Sequence, residues 1–320
     1  MYRVDFASAE FKRVLEQKWY YTIELKPGLF TRGYEFANIV CTRELIRRLT
    51  PTDKDICDIG TMEGMVPILL KRRGARSAVA IDAADSSERI QLVQQCYGEH
   101  FEYYPRISLA RAKDFLTDRA KLSHYVGQKK IQQGFDVVVL SGVLYHVFSP
   151  LHVIGLARTL LRSGGLLILE TAASCHDRFA MNWVFRGDRY IYPTGTNSWF
   201  MTLKFLDYIL RYMKLKPIDC VHGPLNDDAT RVAIAAVAIP EPLPLKSEIE
   251  WFMPENMIDY NEVVDVQWAE GHAGEIAYTP GQNYFHSELT GAVDLYKTVM
   301  KTKALRDDRD RIVFHLDDRD

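Results

Sequence analysis

The middle of the chain alternates between short apolar runs and longer segments with helical spacing. The apolar runs predict strands near residues 55–59, 77–82, 107–110, 136–141 and 166–171. Segments with apolar residues three or four positions apart predict helices near residues 65–73, 86–97 and 149–161. Because these strands are apolar on both faces, the pattern predicts an α/β fold with a buried, mostly parallel sheet.

Further elements flank this alternating core. Residues 8–17 have the spacing of a short amphipathic helix, and a second helix is expected over residues 35–49. After the fifth strand, a helix over residues 199–214 precedes two strands at 216–221 and 230–239. A turn region joins these last two strands, which predicts an antiparallel hairpin at the end of the sheet.

The chain divides into three parts on this reading. Residues 1–50 form an N-terminal cap, and residues 51–240 form the α/β domain. A proline-rich run at residues 240–244 opens a C-terminal extension over residues 241–320, which is too aromatic to be disordered throughout. A homo-oligomer that forms through this extension is one possibility for its role.

The clearest chemical pattern lies where the first strand meets the first helix. The segment after Asp58 carries Gly60 and Gly64, and the second strand ends in Asp82, 18 residues after Gly64. Gly60 permits a sharp turn, and Gly64 permits close approach of the helix, so a ligand can lie against bare backbone. Asp82 stands where a carboxylate accepts hydrogen bonds from two ribose hydroxyls. The pattern therefore predicts an adenosyl cofactor.

Glu63, within the same turn, bears on which cofactor is expected. A pyrophosphate at a helix N-terminus would be repelled by a carboxylate, whereas a cationic ligand would be tolerated. This favours S-adenosylmethionine, whose sulfonium and ammonium groups are positive, over a nicotinamide dinucleotide.

Composition narrows the partners. The chain has 320 residues, with 40 Lys and Arg against 42 Asp and Glu, a net charge of −2. Proteins that bind nucleic acid normally carry a basic excess or stripe, so nucleic acid is an unlikely partner. No apolar run approaches a membrane span, and the five scattered cysteines indicate a reducing, cytoplasmic setting without a metal site.

The chain also resembles a known family. The resemblance is carried by the run from Asp136 to His146 (DVVVLSGVLYH), the Ser149-Pro150-Leu151 segment, the run from Gly164 to Thr171, and the segment Gly187-Asp188-Arg189-Tyr190. These motifs resemble class I S-adenosylmethionine-dependent methyltransferases. More narrowly, they are similar to the tRNA wobble-uridine carboxymethyltransferase group and its small-molecule relatives.

The resemblance spans about residues 19–221 and implies a seven-stranded Rossmann-like methyltransferase sheet, mostly parallel with an antiparallel last strand. An N-terminal helical cap and a C-terminal extension would flank it. The chain departs from the family at Met62, where glycine is usual, and in its slightly acidic balance. The cofactor contacts implied by the resemblance are Asp58, Gly60, Gly64, Asp82 and, after the third strand, Asp114. The alternative for Asp114 is the N-cap of the short helix that follows.

Catalytic and acceptor-binding residues are expected at the carboxyl ends of the fourth and fifth strands and in the connections that follow. The catalytic candidates are Tyr145, His146 and Glu170. The substrate-binding candidates are Trp19, Tyr20, Arg32, Arg186, Arg189 and Tyr190. Several have structural alternatives: His146 can serve packing, Glu170 can pair with an arginine such as Arg189, and the aromatic residues can pin the cap.

These features predict a methyltransferase that acts on a small molecule at an oxygen, nitrogen, sulfur or activated carbon. Arg32, Arg178, Arg186 and Arg189, if they converge, suit an acceptor with a carboxylate or phosphate. No metal is expected, because the methyl group is already activated by the sulfonium. Transfer of a methyl or carboxymethyl group to a tRNA base is the first alternative. The second is a catalytically silent adenosyl-binding or oligomer-forming protein.

Overall fold

The computed structural model describes residues 4–34, 39–108, 134–183, 199–226, 228–239, 277–278, 293–305 and 313–316. The strands are β1 (Thr22–Lys26), β2 (Leu29–Phe30), β3 (Leu49–Thr50), β4 (Asp55–Ile59), β5 (Ser77–Ile81), β6 (Glu102–Tyr104), β7 (Phe135–Ser141), β8 (Leu161–Ser174), β9 (Met181–Trp183), β10 (Trp199–Thr202), β11 (Leu215–Asn226), β12 (Ala229–Ala238), β13 (Ala277–Tyr278) and β14 (Val313–Phe314). The α-helices are α1 (Ala9–Leu15), α2 (Val40–Arg47), α3 (Met65–Arg72), α4 (Ser87–Tyr97), α5 (Pro150–Leu160), α6 (Leu203–Tyr212) and α7 (Leu295–Lys301). In these described ranges, no helix is long and apolar enough to cross a lipid bilayer.

The main sheet has the strand order β11-β12-β8-β7-β4-β5-β6. From β6 to β8 all neighbours are parallel, whereas β12 runs antiparallel to both β8 and β11. The short strands β10 and β9 continue beside the carboxyl end of β8. The predicted α/β class and the central parallel sheet are confirmed.

The sheet is buried on both faces because its strands are apolar at consecutive positions. Along β7, Val137 and Val139 pack into one core layer, and Val138 and Leu140 pack into the other. Successive side chains of a strand point to opposite faces, so an uninterrupted apolar run fills two layers at once. The carboxyl ends of β4, β5 and β7 consequently meet at one edge between these layers.

Two predicted elements are wrong in detail. In the described residues the strand beside β5 is β6, which pairs from Val79 opposite Glu102 to Ile81 opposite Tyr104. Of the predicted strand over residues 107–110, residues 107–108 are not in a strand, and residues 109–110 lie outside the described residues. Ile107 lies beyond the strand, and its amide donates to the Asp82 carbonyl at 2.9 Å. The helix expected from residue 199 begins only at Leu203, since Thr202 caps it by accepting from the amide of Phe205.

The described N-terminal residues, called the cap below, include strands as well as the predicted helices. Ser8 caps α1, and β1 lies in a three-stranded sheet of order β14-β1-β2. Strand β14 is parallel to β1, with Val313 opposite Thr22. Helix α7 packs against α6 and β11, and β13 pairs with β3. Described parts of residues 241–320 therefore pack against both the cap and the α/β domain.

Candidate active site

A cavity of about 360 Å³ opens at the carboxyl ends of β4, β5 and β7. The lining residues are Ile59 and Gly60 at the end of β4, Ile81 and Asp82 at the end of β5, and the segment 141–143 at the end of β7. Ligands of open α/β sheets lie at this edge. Tyr20 and Tyr21 of the cap, His146 after β7, and Arg231 of β12 also contribute to the wall.

The turn after β4 follows the path expected from its glycines. Gly60 has φ +82°, and a Cβ there would lie 2.6 Å from Cγ2 of Val143. Gly64 has φ +79°, and its Cβ would lie 2.4 Å from the Phe101 ring. Met62, which replaces the usual glycine, has φ +52°, the left-handed conformation that glycine adopts without strain. The backbone turn thus forms with a methionine side chain at the cavity wall.

Asp82 places a carboxylate on the cavity wall beside this turn. Its Oδ2 accepts from the amide of Met62 at 2.9 Å, and its Oδ1 accepts from the amide of Ala84 at 2.8 Å. Burial raises the pKa of Asp82, while the backbone hydrogen bonds oppose that shift. Each carboxylate oxygen has a second lone pair, so both can also accept hydrogen bonds from a ligand's hydroxyls.

Asp58 lies behind the turn and does not line the cavity. It is 1 % exposed, and burial raises its pKa to about 7. The Thr61 hydroxyl lowers the pKa and the Asp82 charge raises it, but both effects are smaller than that of burial. Gly64 is likewise absent from the cavity wall, because it packs against Phe101.

Glu63 does not face the cavity, which overturns the argument that its charge selects a cationic ligand. Its side chain is fully buried and is paired with Arg89, whose Nη1 donates to Oε1 at 2.9 Å. The carboxylate also accepts from the amides of Tyr20 and Tyr21. With its charge neutralised in this way, Glu63 gives no basis for choosing between cofactors.

At the other end of the cavity, Glu170 pairs with Arg231. The Arg231 guanidinium donates through Nε to Oε1 of Glu170 and through Nη2 to Oε2 at 2.9 Å. The same Nη2 lies 3.1 Å from the phenol oxygen of Tyr145, and Ser141 donates to Glu170 at 3.2 Å. Glu170 thus has the arginine partner that a buried carboxylate requires, but the partner is Arg231.

Tyr145, His146 and Tyr20 lie around this ion pair. Tyr145 is buried, and its ring meets the exposed His146 ring edge-on at 4.4 Å. Burial raises the pKa of Tyr20 to about 12, and smaller electrostatic contributions come from Tyr145, Arg231 and Glu170. Tyr20, His146 and Arg231 line the cavity. The predicted catalytic residues Tyr145 and Glu170 are buried and do not line it.

Other predicted site residues are not brought to the cavity or lie outside the described residues. Trp19 is 1 % exposed in the cap core, and its indole N–H lies 3.3 and 3.2 Å from the carbonyls of Val14 and Leu15. Arg32 and Arg178 are exposed and do not line the cavity. Four predicted residues lie outside the described part of the chain: Asp114, Arg186, Arg189 and Tyr190.

Arg231 is the cavity residue that the sequence prediction missed. It is the one charged residue in the otherwise apolar strand β12 (ATRVAIAAVA), and it lies opposite Ala172 of β8, two residues from Glu170 along that strand. A lone charge in a buried strand needs a partner or a ligand. That signal, combined with the buried acid of the neighbouring strand, could have identified the pair.

Comparison with known proteins agrees with this geometry. Residues 35–212, more than half of the chain, match a family model described as a methyltransferase domain. A ubiquinone biosynthesis O-methyltransferase from Cereibacter sphaeroides (strain ATCC 17029 / ATH 2.4.9) is 37% identical over 171 residues, which cover 51% of this chain and 61% of that protein. A tRNA U34 carboxymethyltransferase from Shewanella loihica is 31% identical over 133 residues, which cover 41% of this chain and 34% of that protein.

A solved structure shows the same fold. The N-terminal domain of EvdMO1, crystallised in the presence of SAH and D-fucose, aligns with a TM-score of 0.51 and 16% identity, covering 74% of this chain and 100% of that chain. The alignment thus spans the whole of that domain. The chain belongs to the methyltransferase-domain family, which confirms its resemblance to class I S-adenosylmethionine-dependent methyltransferases.

Proposed function

We propose that this protein transfers a methyl group from S-adenosylmethionine to a small-molecule acceptor held near Tyr20, Tyr145 and Arg231. One observation carries the proposal: a single cavity extends from Gly60 and Asp82 to the wall formed by Tyr20, His146 and Arg231. A cofactor and an acceptor can therefore occupy the same cavity, as methyl transfer requires.

The residues near the turn suit the cofactor's adenosyl half. Gly60 presents bare backbone to the cavity, and the lone pairs of Asp82 fit the two hydroxyls of a ribose. The EvdMO1 domain, which has the same fold, was crystallised with SAH, the product form of this cofactor. When bound, the cofactor supplies a methyl group on a sulfonium that is already activated for displacement by a nucleophile.

At the acceptor end, the protein has to orient the acceptor, and it has to remove a proton where the nucleophile carries one. The Arg231 charge is compensated by Glu170, so Arg231 supplies directed hydrogen bonds and holds Tyr145 at 3.1 Å. His146 is exposed at the cavity wall, where a neutral imidazole can accept a proton and pass it to solvent. We propose an acceptor that is recognised through polar contacts with Tyr20 and Arg231, while the buried Tyr145 orients Arg231.

A panel of phenols, carboxylic acids, amines and thiols, with conversion of S-adenosylmethionine to SAH as the readout, tests this proposal. Tyr145→Phe should lower turnover about tenfold or more, because an orienting hydrogen bond is lost, while the dissociation constant of S-adenosylmethionine stays within about threefold. The exposed Tyr208→Phe is the matched control and should change neither quantity. Absence of turnover across the panel in the wild type would support the catalytically silent alternative.

A tRNA base is a second candidate acceptor, favoured by the likeness to tRNA U34 carboxymethyltransferases over part of the chain. With a net charge of −2, we expect bulk tRNA to bind more weakly than about 1 μM at physiological salt, since nonspecific affinity comes mainly from neutralised phosphates. Filter binding over a range of salt concentrations measures this. Tight binding with a steep salt dependence would promote the tRNA candidate over the small molecule.

A further inference from the structure

Glu63 carries a buried carboxylate that the proposed transfer does not use. It lies in the turn between Met62, which lines the cavity, and Gly64, which packs on Phe101. The side chain is 0 % exposed and does not contribute to the cavity wall. A buried charge of this kind is costly unless it is paired and hydrogen-bonded, so its partners indicate what it holds in place.

Its partners all belong to the cap or to the helix beside the cap. Oε1 of Glu63 accepts from the amide of Tyr20 at 2.9 Å and from Nη1 of Arg89 at 2.9 Å. Oε2 accepts from the amide of Tyr21 at 3.4 Å. Arg89 also donates to Ser86 Oγ at 2.7 Å and to the carbonyl of Lys18. One carboxylate therefore joins the cofactor turn to consecutive residues of the cap.

The backbone that Glu63 holds carries part of the cavity wall. Tyr20 and Tyr21 both line the cavity, and their rings meet edge-on at 5.1 Å. On the other side, the carbonyl of Tyr20 accepts from the amide of Tyr34 at 3.0 Å. A Cβ on Gly33 would lie 2.2 Å from the carbonyl carbon of Tyr21, so the two backbone segments are in direct contact. This packing holds Tyr20 and Tyr21 against residues 33–34, and Glu63 holds them against the turn.

We propose that Glu63 is a positioning residue that ties the acceptor wall, formed by Tyr20 and Tyr21, to the turn that carries Gly60. The inference rests on the proposed function, in which Gly60 faces the cofactor and Tyr20 faces the acceptor. Methyl transfer depends on the distance and alignment of the two reactants, and small displacements lower its rate strongly. The tie sets that distance, because one side chain joins the two halves of the site.

Glu63→Gln tests the tie with little change in volume. The amide nitrogen cannot accept a hydrogen bond from a backbone N–H, and the charge that pairs with Arg89 is lost. The glutamine keeps one acceptor oxygen, so at least one of the two backbone hydrogen bonds is lost. In the protein saturated with SAH, we expect hydrogen exchange at the amide of Tyr20, of Tyr21 or of both to be about tenfold faster. The dissociation constant of SAH should stay within about threefold, since Gly60 and Asp82 are unaltered.

Turnover provides the readout that a merely structural role would not change. With an acceptor identified by the panel, kcat/KM for the acceptor should fall about tenfold or more, while KM for S-adenosylmethionine stays within about threefold. Glu88→Gln is the matched control: Glu88 also joins the cap to α4, through Arg13 and Gln17, but it is exposed and does not line the cavity. Glu88→Gln should leave both the exchange of Tyr20 and Tyr21 and the acceptor kinetics unchanged.

Arg89→Gln removes the ion-pair partner of Glu63 and leaves the sequence of the turn unchanged. It should accelerate exchange at the same two amides, which keeps the inference testable if Glu63→Gln does not fold. Unchanged exchange at Tyr20 and Tyr21, an even increase across the chain, or equal loss of SAH affinity and acceptor kinetics would each overturn the tie. A wild-type protein that converts no S-adenosylmethionine would instead overturn the proposed function, while the exchange measurement would still decide on the tie.

Discussion

At Gly60, the backbone conformation and the available space each disfavour a side chain. The residue has φ +82°, and the nearest atom to an added Cβ would be Val143 Cγ2 at 2.6 Å. Gly28 has a similar φ of +77°, but an added Cβ there would meet nothing within 4 Å. Alanine substitutions at the two glycines therefore separate the cost of a left-handed backbone from the cost of the collision with Val143.

We expect Gly28→Ala to lower the free energy of unfolding by about 1 kcal/mol, the cost of a left-handed alanine. Gly60→Ala should lower it by about 1–3 kcal/mol more, because the methyl group displaces Val143 at the cavity wall. Urea unfolding followed by circular dichroism measures both values. Equal losses in the two variants would show that the turn relaxes without strain at Val143.

Asp58 makes stability depend on pH in a specific direction. Its pKa is raised by burial to about 7 in the folded protein, above the ordinary value of 3.8. Its contribution to stability is fully present below the unfolded pKa and is lost as the pH rises through the folded pKa. The loss thus falls between about pH 4 and pH 7.

Asp58→Asn should remove this dependence, because the amide does not titrate. Unfolding by urea at a series of pH values would show a wild-type free energy that declines relative to the variant between about pH 4 and pH 7. Asp53→Asn, at an exposed turn residue, is the control and should track the wild type. A wild-type minus Asp58→Asn difference that does not change with pH would contradict the raised pKa.

The position of a residue at the cavity was predictable from the sequence where that position carries its own signal. Gly60 and Asp82 were predicted at the site because of their spacing along a single strand-helix-strand unit. Arg231 was missed because its partner Glu170 is 61 residues away, and only the pairing of β12 with β8 brings them together. The exposed position of Arg32 could not be predicted from the sequence either, since it depends on how the cap packs on the sheet.

Among the elements, β14 links the end of the described chain to the cavity. Phe314 is 1 % exposed, its ring lies 5.3 Å from that of Tyr21, and the Arg43 guanidinium stands over it at 4.6 Å. Tyr97 donates to the Phe314 carbonyl at 3.2 Å. A two-residue strand from the last part of the sequence thus supports Tyr21, which lines the cavity.

Phe314→Ala should lower the free energy of unfolding by about 3–5 kcal/mol, the usual effect of emptying a buried phenylalanine site. Denaturant unfolding measures the loss, and Met300→Ala on the exposed side of α7 is the control, with an expected change within about 0.5 kcal/mol. An effect of Phe314→Ala as small as that of the control would mean that β14 does not support the cap in solution.

Element prediction succeeded for central strands and failed at the sheet's margins. Strand β4 was predicted with its observed limits, because Ile56, Cys57 and Ile59 lie between Pro51 and the turn that begins at Gly60. Strand β6 was displaced because Glu102, Tyr103 and Tyr104 are only partly buried and resemble a loop, whereas Ile107 resembles a core residue. Strand β10 was merged with α6 because the aromatic pattern continues into the helix, although Thr202 was an available N-cap signal.

For the whole molecule, the cavity is assembled from three distant parts of the chain. The cap supplies Tyr20, the parallel strands supply Gly60 and Asp82, and the antiparallel strand β12 supplies Arg231. The alternation of strands and helices predicted the parallel core, which brings the second group together. The first and third groups depend on long-range packing, so the part of the cavity at β4 and β5 was more predictable than the part at Tyr20 and Arg231.

Isothermal titration calorimetry with S-adenosylmethionine on the wild type and Asp82→Ala tests the central claim most directly. The account predicts binding by the wild type and at least about tenfold weaker binding by the folded variant, equivalent to about 1.4 kcal/mol. Asp85→Ala, which removes a nearby carboxylate that does not line the cavity, should bind within about threefold of the wild type. Wild-type affinity in a folded Asp82→Ala protein, or no binding by the wild type, would contradict the account.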